Sequence, residues 1–67
     1  MNERSWLVTG RAMNENGNFR RTRHVLSESF TRGAAEQELK SIASHEGAHD
    51  YKALKVVHAS ETKAKRF

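Results

Sequence analysis

Two groups of side chains have types and spacings that could do chemistry. The first is His45-Glu46-Gly47-Ala48-His49. On an unbroken helix, histidines four apart share a face and hold zinc, and the glutamate between them serves as general base for hydrolysis. Several features argue against that use here. Gly47 stands where a helix would stop, and the extended motif would need Gly at 52 and His at 55, where this chain has Lys52 and Lys55. His58 could offer a third ligand only from a strand, and 67 residues leave no second lobe to wall a cleft. The string reads better as a helix C-terminus, where His45 interacts favourably with the helix dipole. There is no G-x-S-x-G elbow and no phosphate-binding glycine loop, and Ser27, Ser29 and Thr31 suit edge or capping roles. The sequence thus implies no enzyme, with no catalytic residue, metal or cofactor.

The second group is basic. Six of the seven arginines lie in residues 1–33, three of them within Arg20-Arg21-Thr22-Arg23. Arginine presents a planar, permanently charged fork that matches phosphate, whereas lysine is a hydrated point charge. Charge is also segregated along the chain. Residues 1–33 carry a net +3, residues 34–50 a net −3 and residues 51–67 a net +4, giving +4 in all.

These residues need elements to hold them. Residues 5–13 are rich in strand formers, and residues 19–28 repeat the pattern around Phe19, Thr22, Val25 and Leu26. Between them Asn16-Gly17 predicts a tight hairpin, with both residues at positive φ in a type I′ turn. That register sets Val8 opposite Val25, Leu7 opposite Leu26 and Arg11 opposite Thr22. Trp6, Val8, Ala12, Phe19 and Val25 then share an apolar face, and Thr9, Arg11, Met13, Arg20, Thr22 and His24 share a polar, basic one. Arg21 and Arg23 fall on the apolar side and would have to snorkel past its edge. Gly10 marks a bulge or a close approach of the helix.

A helix is expected from about Thr31, whose hydroxyl suits a cap, to about Glu46, with Gly47 as the left-handed residue closing it. Ala35, Leu39, Ile42 and Ala43 give it a narrow apolar stripe. Tyr51–Ala59 reads as a third strand. The layout is β-β-α-β, an α+β fold whose antiparallel or mixed sheet has order 2-1-3. One helix covers one face and nothing is left for the other. Residues 1–61 form this domain, and residues 62–67 a basic tail expected to fray. The expected core is Trp6, Val8, Val25, Leu39 and Ile42, with Leu54 or Val56.

Composition narrows the class further. Leu, Ile, Val and Phe make up 12 of 67 residues, so the core is thin and a partner, including a second copy through strand edges, would stabilise it. No cysteine is present to staple it. No apolar run approaches a membrane span and the N-terminus lacks a secretory apolar stretch, so the expected location is cytoplasmic. The charge map points to a small accessory or regulatory protein that binds nucleic acid, duplex rather than single strand because stacking aromatics are few. Its expected contacts are Arg11, Arg20, Arg21, Arg23, Lys63, Lys65 and Arg66. The alternative is an inhibitor or adaptor module that binds an acidic protein surface.

Overall fold

The central strand, β1 (Trp6–Ala12), is flanked by β2 (His24–Ser29) and β3 (Tyr51–His58), both antiparallel to it. The computed structural model describes residues 3–45 and 48–66. Since β2 and β3 run in the same direction on either side of β1, the chain between them must cross over. Helix α1 (Arg32–Ser44) makes that crossing, giving the expected β-β-α-β order and the sheet order β2-β1-β3. Leu7, Val8, Thr9, Gly10 and Ala12 of β1 are all buried.

The hairpin is present, but its turn and register differ from the expected ones. The Asn14 N–H donates to the Asn18 carbonyl (2.7 Å), and the Gly17 N–H donates to the Asn14 carbonyl (3.1 Å). Residues 15–17 therefore form a three-residue loop in which Gly17, at φ 80°, takes the left-handed position and Asn16 does not. The Asn14 side chain decides for this wider loop. Its Oδ1 accepts from the N–H groups of both Asn16 (2.9 Å) and Asn18 (3.1 Å), which a two-residue turn would not bring together.

The loop sets Met13 opposite Phe19, but the arms do not keep that register. Residues 21–23 let the second arm run ahead, so that Thr9 pairs with Val25, and the Leu26 bulge adds one more residue, so that Val8 pairs with Ser27 and not with Val25. β2 begins only at His24, and residues 21–23 depart from the strand as a bend. Arg23 is thereby freed from the apolar side. Its side chain lies against Thr9, on the face away from α1.

A second bulge lies across β1, where Gly10 faces the extra residue in Ala53-Leu54. Ala53 has φ 56°, a left-handed conformation that costs energy for a residue with a side chain. Gly10 answers the expected bulge, but the close approach comes from neighbouring strands. A Cβ there would sit 2.7 Å from Leu54 Cδ2 and 3.2 Å from Leu26 Cδ1.

Helix α1 starts as expected, with Thr31 as N-cap and its hydroxyl accepting from the Ala34 N–H (3.1 Å). It ends at Ser44, and His45 is an extended C-cap whose N–H donates to the Ile42 carbonyl. Glu46 and Gly47, the expected end and closing residue, lie outside the described residues. Trp6 faces this helix, with the Arg32 guanidinium carbon 5.9 Å above its ring and the His58 ring packed edge-on at 5.0 Å. Of the expected core only Val8 is fully buried. Leu7, Ala12 and Ala35 join it, while Trp6, Val25, Leu39, Ile42, Leu54 and Val56 are half-buried. A helix thirteen residues long with one buried side chain covers too little of the sheet to bury more.

The described part of the tail, residues 62–66, is paired with the sheet. After a 3₁₀ turn at Ala59–Glu61 the chain returns to the outer edge of β2. There the Val25 N–H donates to the Lys65 carbonyl (2.9 Å) and the Lys65 N–H to the Arg23 carbonyl (3.0 Å). To reach that edge from β3, residues 59–64 must cross β1. The face away from α1 is therefore not bare, and Leu7 on it is only 4% exposed.

Candidate nucleic-acid interface

Alternation along β1 sends Trp6 and Val8 toward α1 and Leu7, Thr9 and Arg11 to the opposite face. Residues paired with these share their faces. Lys55 pairs with Thr9 and Lys52 with Arg11, so both lysines join Arg11 on the face away from the helix. Strict alternation would put residues 52 and 55 on opposite faces. The extra residue in the Ala53-Leu54 bulge reunites them. The sequence reading missed both, since nothing in an alanine marks a left-handed bulge.

The seven expected contacts divide by what their heads already do. Arg11 is half-buried and its Nε donates to the Arg20 carbonyl (2.6 Å), bridging the two arms of the hairpin. Arg20 and Arg21 are exposed where the chain leaves the ladder. Lys63 is exposed beside a shallow cleft of about 220 Å³ that it lines with Thr22, Arg23, Thr62 and Ala64. Lys65 is held by its backbone and its side chain is exposed.

Arg23 and Arg66 are held through their heads as well. The Arg23 guanidinium donates to Thr9 Oγ1 (3.1 and 3.2 Å), to the Thr9 carbonyl (2.9 Å) and to the Ala53 carbonyl. It reaches from the bend before β2 over β1 to the bulge in β3 and supplies donors to carbonyls there. Burial, then the neighbouring Arg11 charge, pushes its pKa below the usual arginine range. Arg66 is ion-paired with Glu28. That contact, a hydrogen bond foremost, holds the Glu28 carboxyl below the ordinary carboxylate range against a smaller opposing effect of burial.

Strand register leaves Arg11, Lys52 and Lys55 on this face, with Lys63 exposed on the segment that crosses it and Arg21 exposed on the bend before β2. Lys65, paired with His24, and Arg20, opposite Ala12, fall on the side of α1. Lys52 Nζ also lies 4.8 Å over the Phe19 ring, and Phe19 bridges to Met13 beside it. The acids Glu36 and Glu38 are exposed on α1, across the sheet. Glu36 pairs there with Arg32 at 3.2 Å.

The zinc-like string is not assembled as one helical face. α1 ends before His45, and His49 sits in a separate 3₁₀ turn (Ala48–Asp50) with its Nε2 3.7 Å from Asp50 Oδ1. Among the described residues no group of three His, Cys, Asp or Glu side chains is placed to hold a metal ion. No helix among them is long and apolar enough to cross a membrane. Protein-family models, curated proteins and solved structures were compared with the chain, and none matches.

Proposed function

We propose that the protein is a small, basic, non-enzymatic accessory or regulatory module that binds nucleic acid through the sheet face away from α1. The observation that carries this reading is the sidedness of the charge. Arg11, Lys52 and Lys55 share a face by strand register, and Arg21 and Lys63 are exposed on the bend and on the segment that crosses it. α1, on the opposite side, has no net charge, with exposed Glu36 and Glu38 against Arg32 and Lys40. Like charges held this close repel in the free protein, and a phosphate backbone relieves that repulsion while releasing counterions. Arg23 and Arg66 serve as supports that hold the hairpin and the tail in place.

Titration of duplex DNA and duplex RNA with the protein over a range of salt concentrations tests the reading. Binding should weaken steeply with salt, and the log–log slope should fall by about 0.9 for each DNA phosphate contact removed. The double substitution Arg21→Ala with Lys63→Ala should lower the slope without altering the melting temperature. A salt-independent slope, or no binding at low salt, would assign the face to an acidic protein surface instead.

A further inference from the structure

The hairpin tip differs in chemistry from the basic face below it. β3 begins at Tyr51, opposite Ala12, and the last link to that side is the Met13 N–H donating to the Asp50 carbonyl (2.8 Å). Among the described residues no third strand lies beside the hairpin beyond Met13. Its tip at Asn16 lies three residues farther along the chain, two of them, Glu15 and Asn16, in the turn. The outermost side chains are Glu15, Asn16 and Asn18, all exposed.

This projection is braced. Asn14 Oδ1 ties the loop together, Gly17 closes it, Phe19 bridges Met13, and Arg11 reaches across to the Arg20 carbonyl. A carboxylate at the tip would be repelled by phosphate, so the tip is unsuited to the backbone contacts that the lysines and arginines below it favour. Amides and a carboxylate are suited to base edges: asparagine pairs with adenine N6 and N7, and glutamate accepts from cytosine N4. A two-stranded ribbon fits a B-form major groove about 12 Å wide and 8.5 Å deep, whereas the A-form groove is too narrow for side chains to read.

Resting on the nucleic-acid reading above, we infer that the partner is B-form duplex DNA. The tip from Glu15 to Asn18 enters the major groove, and Arg21 and Lys63 meet the flanking phosphates. The salt-dependent term then comes from the basic face and the DNA-over-RNA preference from the tip.

The test measures affinity for a random-sequence DNA duplex pool, for the matching RNA duplex pool, and for the DNA pool with 7-deazaadenine in place of adenine. DNA should bind at least about tenfold tighter than RNA, the size of one good bidentate base contact. The double substitution Asn16→Ala with Asn18→Ala should erase most of that preference and leave the salt slope unchanged. The modified DNA should lose affinity for the wild-type protein, a readout that does not depend on the variant folding. Equal affinity for DNA and RNA, or a preference that survives both perturbations, overturns the inference and leaves nucleic-acid binding standing. No binding to either polymer at low salt overturns both.

Discussion

Helix α1 and the C-terminal segment lie against opposite faces of one sheet, and different forces hold them there. α1 is attached by apolar contact: Ala35 is buried, Leu39 and Ile42 are half-buried, and Trp6 rises to meet it from β1. The C-terminal segment is attached by polar latches, namely two backbone bonds at Lys65 and the Arg66–Glu28 pair. Beside it the Arg23 fork fills the gap left by two bulges. Apolar contact tolerates small errors of position, because it scales with area. A guanidinium shared among three acceptors does not, since each bond has a direction and each acceptor left behind in a dry site is costly. The polar side should therefore fail abruptly and the apolar side by degrees.

The largest expected effect follows from that contrast. Arg23→Ala removes the donors to the Thr9 carbonyl and hydroxyl, and Thr9 is fully buried. Stranded buried acceptors cost about 1–3 kcal/mol each, so a total loss of about 3 kcal/mol is expected in urea unfolding. A domain this small holds about twice that in reserve, at about 0.1 kcal/mol per residue. Arg23→Lys should recover little, because an ammonium cannot fork between β1 and β3. If the lysine variant is as stable as wild type, charge rather than geometry holds the bulge.

Next in size come Leu39→Ala and Ile42→Ala. Full burial of such a side chain would make each cost about 2–5 kcal/mol, and half-burial lowers the expectation to about 1–2 kcal/mol. The same urea titration ranks them against Arg23→Ala. A larger loss at Ile42 than at Arg23 would reverse the contrast and place the stability of the domain in the helix.

The two sides also differ in how much of them could be read from the sequence. The helix was legible because its signals are local and periodic: a capping hydroxyl at Thr31, then apolar residues at helical spacing. Element order and sheet order followed from it. The register was not legible, because three irregularities set it: a loop one residue longer than Asn-Gly alone suggests, held by the Asn14 side chain, the bend at 21–23 and the Leu26 bulge. From the bend Arg23 turns inward to Thr9. The candidate site was half legible for the same reason. Arg20, Arg21 and Lys63 are exposed as their types imply, while Lys52 and Lys55 share a face only through a left-handed alanine. Composition identifies cations, but only tertiary partners decide which of them are committed to the fold.

The smallest expected effect isolates the outermost latch. The Arg66 hydrogen bond is the main cause of the lowered Glu28 pKa, with attraction from the Arg66 and Arg4 charges adding to it. A carboxyl more acidic in the folded state than in the unfolded chain stabilises the fold above its ordinary pKa, near 4.3 for glutamate. That contribution fades as the pH falls through the lower, folded value. The pair is largely solvent-facing, with side-chain exposures of 65% for Arg66 and 32% for Glu28, so salt should weaken it at any pH. Global melting should barely register its loss. The sensitive readout is hydrogen-exchange protection of the Lys65 and Val25 amides, whose bonds hold the tail to the β2 edge. In Glu28→Gln at neutral pH these two amides should lose protection while those of Leu7 and Val8 keep theirs, and added salt should move wild type toward the variant. Unchanged protection at Lys65 in the variant would mean that the backbone bridge holds the tail without the ion pair. The polar latch would then consist of Arg23 and the sheet edge alone.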